Sequence, residues 1–218
     1  MNNWTVDNIA KYSLSLPERP DRSAKAREHF DANGLNGVTF LTSIHGEKFG
    51  LKTIFPYAVD DPSGNFFCGH HETGIFLSHY IAWQIAALGH SPVMILEDDA
   101  KLEDGWKEST NDALALLESR TAPWEFLFVG HCGAAGAMKD LIGKNVWRVR
   151  YPSCFHSYIV TPMGAQFLME NMRKMFGPVD LMTYVDDPNG GTNAPFKRME
   201  VFTILPRKVS QFNTEIPS

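Results

Sequence analysis

Ser91-Pro92-Val93-Met94-Ile95-Leu96-Glu97-Asp98-Asp99 is the stretch whose reading decides the fold. Val93 to Leu96 form an apolar run that follows a turn-forming Ser-Pro pair and stops at three carboxylates. Such a run predicts a strand buried on both faces, as in a parallel sheet. In open α/β sheets, ligands lie beyond the carboxyl ends of the strands, so the acidic triplet falls where a ligand is expected. Side chains alternate along an extended chain, which puts Glu97 and Asp99 on one side and Asp98 on the other. Two carboxylates on one side of a sheet edge suit a hard cation, Mn²⁺ or Mg²⁺, that also takes oxygens from substrate phosphates. The plainer alternative is a solvated acidic loop after a core strand.

Outward from this strand, strand and helix patterns alternate, the signature of an α/β fold. Strands are predicted over 10–16, 38–41, 93–96, 125–129, 145–151, 156–160 and 199–205, with 145–151 near an edge. Helices are predicted over 21–32, 73–88, 104–119 and 163–176. Asn33-Gly34, Gly89 and Gly177 supply helix stops, and Thr161-Pro162 supplies an N-cap and a first-turn proline. Ile75, Phe76, Ile81, Ile85 and Leu88 are expected to form the buried stripe of the second helix. Residues 46–69 show no steady period and read as a long irregular excursion, which inside a compact domain tends to be functional. Residues 211–218 read as a polar, mobile tail.

The 218 residues fit a single domain, 1–218. A net charge of −5 gives no basic footprint for broad nucleic-acid binding. Local basic spots remain at Arg148, Arg150, Lys197, Arg198, Arg207 and Lys208. Apolar runs are far too short to span a bilayer, and Met1-Asn2-Asn3-Trp4 shows no leader pattern. Cys68, Cys132 and Cys154 are odd in number, widely separated and match no zinc pattern or disulfide framework. A reducing, cytoplasmic setting is expected, with the protein soluble or peripheral to a membrane. His70-His71 lacks metal partners at suitable spacing and reads as loop.

Several segments, in order, resemble glycosyltransferase family 25, the lipopolysaccharide-biosynthesis and collagen-galactosyltransferase-like family. They are Ser13-Leu14-Ser15-Leu16-Pro17-Glu18-Arg19-Pro20-Asp21-Arg22, then Glu72 through His79 with Trp83, then Leu96-Glu97-Asp98-Asp99-Ala100. His156 through Ala165, Pro178-Val179-Asp180, and Pro206 through Gln211 complete the set. Singly each motif is weak; their order along nearly the whole chain is the signal. Three positions depart from the family pattern: Ser15 stands where Asn is usual, Ile75 where Cys is common, and His45 where an acidic residue is frequent. These bear on donor choice and base recognition, and leave the acidic motif intact.

The resemblance implies an α/β, GT-A-like (Rossmann-like) fold with a mixed, mostly parallel sheet flanked by helices. It implies a nucleotide-sugar donor, UDP-sugar favoured, used with Mn²⁺ or Mg²⁺ by an inverting transferase. Asp99 and Glu97 are the implied metal ligands, and Asp98 faces ribose or sugar. Ser15, Leu16, Arg19 and Arg22, in the turn after the first strand, are expected near the nucleotide; arginine suits phosphate because its fork donates two parallel hydrogen bonds. Ser43, His45, Ser78, His79, His156 and, more weakly, His131 are further donor-site candidates. Asp180 is the expected general base, with Asp186 and Asp187 as runners-up. Cys132 and Cys154 are expected to be buried thiols. The acceptor is a glycan by default, with a protein hydroxyl or hydroxymethylated DNA as alternatives, and 46–69 is an acceptor-side insertion. Two competing readings are a non-catalytic sugar- or nucleotide-binding module, and a nucleotidyl- or phosphotransferase. The last lacks a glycine-rich phosphate loop at Ser15-Leu16-Pro17-Glu18.

Overall fold

The computed structural model of the chain describes residues 3–48, 69–132, 138–150, 153–173, 175, 177–184 and 194–212. Cys68, Asp186, Asp187, most of the 46–69 excursion and the tail beyond Phe212 lie outside the described residues.

Among the described residues, the strands are β1 (Ala10–Ser15), β2 (Thr39–Thr42), β3 (Val93–Glu97), β4 (Ala100–Leu102) and β5 (Phe126–Gly130). They continue with β6 (Met138–Gly143), β7 (Val146–Val149), β8 (Ser157–Val160), β9 (Val201–Ile204) and β10 (Val209–Gln211). The helices are α1 (Pro20–Ala32), α2 (His70–Ala87), α3 (Trp106–Glu118), α4 (Pro162–Asn171) and the short α5 (Val179–Met182). The main path of the sheet runs β2-β1-β3-β8-β5-β9-β7-β6, and β10 pairs with both β4 and β5. β1 is parallel to β2 and β3, and β5 to β9, while β8 lies antiparallel between β3 and β5. This is the α/β fold that the strand–helix alternation predicts, with the mixed sheet flanked by helices that the resemblance implies.

Both faces of the sheet are covered, so its central strands β3, β5 and β8 are apolar along most of their length and still alternate in destination. Val93 and Ile95 of β3, Phe126 and Phe128 of β5, and Tyr158 and Val160 of β8 share one core with Phe76 and Trp83 of α2 and Leu168 of α4. Met94, Leu96, Leu127, Val129 and Ile159 point the other way, into a core with Phe30 of α1 and Trp106, Leu114 and Leu117 of α3.

Several expectations are corrected. α2 begins three residues before the expected start, so His70 and His71 are its first turn rather than loop. Its buried face carries Gly74, Phe76, Ser78, His79, Ala82, Trp83 and Ala86, whereas Leu88 is 86% exposed and Ile75, Ile81 and Ile85 are half-buried. Small residues every fourth position, Gly74, Ser78, Ala82 and Ala86, let the helix approach its neighbours closely, and the bulky aliphatics become flanks. α4 is capped as expected, Thr161 Oγ1 accepting from the Gly164 N–H at 3.1 Å, but it ends at Asn171 instead of running to 176. Asp180 therefore belongs to a separate short helix, α5. Gln211 lies in β10, not in a tail. The short strands β4 and β10 span too few residues to show a period.

α2 touches the segment after β2 through bare backbone. A Cβ added at Gly74 would sit 2.5 Å from the Ile44 carbonyl oxygen and 2.7 Å from the Gly46 nitrogen. In an open helix, Gly→Ala stabilises by about 1 kcal/mol. Here the sign reverses: Gly74→Ala is expected to destabilise by about 1–3 kcal/mol through overpacking, read as a lower denaturation midpoint at unchanged m-value.

Candidate active site

The parallel trio β2-β1-β3 builds a switch point. α1 leaves β1 over one face to reach β2, and α2 returns over the other face to β3, on the opposite flank of β1. A crevice opens at the carboxyl ends of such strands, and a cavity of about 350 Å³ lies there, walled by Leu14, Leu16, Ser43 and the three acids.

Parity assigns the acids. Glu97 follows Val93 and Ile95 onto the α2 face, where His79 Nε2 lies 3.5 Å from its Oε1. Asp98 turns toward α1: Arg22 pairs with its Oδ1 at 2.5 Å and Ser15 Oγ donates to its Oδ2 at 3.1 Å. Ser15 also bonds Ser23 of α1. Asp99 lies back beside Glu97. A single amide, Gln211 Nε2, donates to Glu97 Oε2 at 3.2 Å and to Asp99 Oδ1 at 3.4 Å, while Arg22 pairs with Asp99 Oδ2 at 3.0 Å. The Asp99 carbonyl accepts from the Phe212 N–H at 2.8 Å, which ties β10 to the turn.

Arg22 is the cation paired with Asp98 and Asp99 among the described residues, and one positive charge leaves the cluster short. Burial, then the charge of Glu97, pushes the Asp99 carboxyl up to about 6 despite Arg22. Burial also raises Asp98 against the pull of Arg22 and Ser15. For Glu97 burial acts upward too, but His79, His156 and Arg22 outweigh it and the group sits below its ordinary value. Hard oxygen donors with uncompensated negative charge are the donor set a divalent Mn²⁺ or Mg²⁺ takes, so Glu97 and Asp99 fit such an ion.

Ser78 positions backbone: its Oγ accepts from the Ile44 N–H at 2.8 Å and donates to the Gly74 carbonyl at 2.7 Å. The Ser43 N–H donates to the Ser15 carbonyl at 2.8 Å, so the two strand ends close on each other. His79 is buried, with Nδ1 3.0 Å from the Tyr158 hydroxyl, which also accepts from Trp83 Nε1 at 2.9 Å.

A second cavity of about 210 Å³ adjoins the first and shares Ile75, Glu97 and Gln211 with it. Phe155 and Val179 give it apolar walls, and Asp180 lies in it. Asp180 Oδ2 accepts from the Cys154 N–H at 2.9 Å, and Cys154 holds a left-handed φ of +68°. Cys154 is bonded to Cys132 with Cα atoms 5.5 Å apart. The expectation of two buried free thiols is thereby corrected: Cys132 is exposed and Cys154 half-buried. Linear spacing hid the pair because β5 and β8 run antiparallel, and the Cys132 N–H already reaches the Ser153 carbonyl at 3.0 Å.

Of the residues singled out from sequence, Leu16, Arg22, Ser43, His45, Ser78, His79, Glu97, Asp98 and Asp99 line the first cavity. Asp180 lies in the second. Ser15 stands behind Asp98. His156 is buried below Glu97, its carbonyl accepting the Glu97 N–H at 3.0 Å. Arg19 instead pairs with Asp21 at 2.8 Å on the surface and lines neither cavity. Sequence reasoning missed Gln211, Ile44 and Ile75 as wall residues, and Tyr158 and Trp83 behind His79. The Trp83 and Tyr158 motifs were in view, but nothing in one dimension shows that they meet.

His131 is buried at the end of β5. Burial, then His156 and Arg207, depress its pKa to about 4 from the ordinary 6.5. A depressed histidine favours the fold only while neutral: the unfolded chain binds the proton first, so stability is full above 6.5 and falls as pH drops toward 4. The loss is at most about 3 kcal/mol. Denaturation midpoints measured across this range should fall for the wild type and flatten in His131→Gln.

Residues 8–135, more than half of the chain, match the model of glycosyltransferase family 25 (LPS biosynthesis protein). A glycosyltransferase 25 family member of Aedes aegypti is 27% identical over 187 residues, 81% of this chain and 29% of that protein. A probable inactive glycosyltransferase 25 family member 3 of Bos taurus is 25% identical over 78% of this chain and 30% of its own length. Procollagen galactosyltransferase 1 of Danio rerio is 27% identical over 64% of this chain and 24% of its own. The chain thus spans about three tenths or less of the length of these relatives. By the family match across its first strands, acidic turn and α2, the chain belongs to glycosyltransferase family 25.

Proposed function

We propose that the chain moves a sugar from a nucleotide-sugar donor, UDP-sugar favoured, to an acceptor hydroxyl with inversion. The observation that carries this reading is the pair of adjoining cavities that share Glu97 and Gln211, one holding the acidic cluster and the other Asp180. The first takes the donor. Glu97 and Asp99 would hold Mn²⁺ or Mg²⁺, which when bound offsets the charge that develops on the departing diphosphate. Arg22 reaches the same place from α1 and contributes a fixed positive charge. Leu14, Leu16 and Ile44 give the base an apolar wall.

The second cavity takes the acceptor. Asp180 accepts the proton of the attacking hydroxyl as that oxygen bonds to the anomeric carbon. The bond from that carbon to the diphosphate oxygen breaks, and the electron pair leaves with the nucleotide. A base on one side of the shared wall and a leaving group on the other is the arrangement in-line inversion needs. The Cys154 N–H occupies one carboxylate oxygen of Asp180 and aims the group.

A glycan remains the default acceptor, with a protein hydroxyl next, in line with the procollagen galactosyltransferase relative. A DNA acceptor would need a basic groove. Arg148 instead pairs with Glu200, Arg198 lies over Phe167, and Arg207 and Lys208 donate to backbone carbonyls at His131 and Asp104. The second reading, a binding module without turnover, is favoured by the relative named probable inactive. Among the described residues no helix is long and apolar enough to cross a membrane. A cytoplasmic setting stands against the Cys132–Cys154 bond, since such bonds persist in oxidising compartments.

Calorimetric titration of UDP with and without Mn²⁺ tests the donor site. Binding should require Mn²⁺ and weaken at least about tenfold in Asp99→Ala, by loss of a charge-bearing ligand. Asp180→Asn should retain that binding and lower turnover by about 10²–10⁴-fold. Mn²⁺-dependent UDP binding without hydrolysis or transfer of any UDP-sugar would favour the binding module.

A further inference from the structure

We infer that Tyr158 is a positioning residue of this site: with Trp83 behind it, it sets His79 in the tautomer that carries its proton on Nε2, facing Glu97. The inference rests on the proposed role of Glu97 only for its functional consequence. The tautomer itself follows from counting protons.

An indole nitrogen can only donate, so in the 2.9 Å contact the Tyr158 oxygen accepts from Trp83. The Tyr158 hydroxyl has one proton left to place, and its side chain has no exposure. Its other partner among the described residues is His79 Nδ1 at 3.0 Å. A buried hydroxyl proton without an acceptor carries the full penalty of an unmade hydrogen bond. The satisfied arrangement has Tyr158 donating to Nδ1, so Nδ1 is an acceptor and bears no hydrogen. A neutral imidazole then carries its proton on Nε2. That nitrogen is buried, makes no hydrogen bond of ordinary geometry, and lies 3.5 Å from Glu97 Oε1.

The fold holds the donors of this chain in place. Trp83 follows His79 by four residues, one turn along the same buried face of α2. Tyr158 stands on β8 with its ring stacked on Phe126 at 4.6 Å and tilted against Phe155 at 5.2 Å. Its hydroxyl cannot swing away without breaking those contacts. The polarity runs outward in one direction, from indole to phenol to imidazole to carboxylate. It ends at the residue that both cavities share. Second partners of this kind orient metal-binding carboxylates and imidazoles elsewhere, at about 10- to 100-fold in metal affinity.

Two measurements test this. In the apo-protein, long-range ¹H–¹⁵N spectra of histidine-labelled chain should show His79 with Nδ1 unprotonated and Nε2 protonated, and Tyr158→Phe should abolish that preference. A wild-type His79 with its proton on Nδ1 overturns the inference, and this readout needs neither metal nor a foldable variant. Second, Mn²⁺ affinity, read by electron paramagnetic resonance of the free ion, should fall about 10- to 100-fold in Tyr158→Phe, beyond any change in Phe126→Leu, a packing control in the same cluster. Equal affinities in Tyr158→Phe and wild type would reduce Tyr158 to packing and overturn the positioning role. A wild-type chain that takes up no Mn²⁺ overturns the metal assignment of the proposed function instead, and the tautomer spectrum then decides this inference alone.

Discussion

The side-chain alternation of β3 inside a sheet covered on both faces is the constraint on which the rest depends. Val93 and Ile95 are committed to the α2 core and Met94 and Leu96 to the α1 and α3 core. A slip of one residue would exchange every one of them. The same parity delivers Glu97 to the face where His79 waits, and sends Asp98 toward Arg22 and Ser15. The apolar half of the strand thus sets the register of its acidic end, and the site inherits its geometry from the core.

Charge is the second organising force. Three carboxylates meet at one strand end, and the arginine beside them is not enough to balance them. The surroundings absorb part of the excess through the Gln211 amide and Ser15 hydroxyl, and part by pushing Asp98 and Asp99 upward. A fold that only had to be stable would gain by losing one of these acids, since burying an uncompensated charge is costly. Instead they stand together at a switch point, on the wall of the crevice at the strand ends.

How much of this was legible in the sequence follows from what each signal measures. Val93 to Leu96 and the helices 21–32 and 104–119 were readable because apolar period and end signals are local. The acidic triplet was readable because an abrupt change of polarity is local too. Gln211 was not, since a short polar segment reads as tail until β4 and β5 supply its partners. The Cys132–Cys154 bond was hidden because pairing across antiparallel strands leaves no trace in spacing. Arg19 was a reasonable candidate beside Arg22, and helix geometry separates them: Arg22 faces the acids from the first turn of α1, while Arg19 precedes the helix and meets Asp21. Leu88 was misplaced for another reason. Hydrophobicity marks what can be buried, but the close approach of α2 at Gly74 and Ser78 decides which face is.

Gln211 and Phe212 have a consequence for the order in which the molecule is made. The hydrogen bonds from Gln211 to Glu97 and Asp99 span 114 and 112 residues of chain. Contacts of such separation form late, because the loop they close must be ordered before they contribute. During synthesis the N-terminal strands emerge first, so β1, β2 and β3 can pair while the acidic turn still lacks its final wall. Until β10 arrives, Glu97 and Asp99 lack the Gln211 amide that bridges them, whereas Asp98 already has Ser15 and Arg22. The strand that completes the cavity is also the one that links Glu97 to Asp99, so the most charged part of the site is closed only after the strands that carry it are in place.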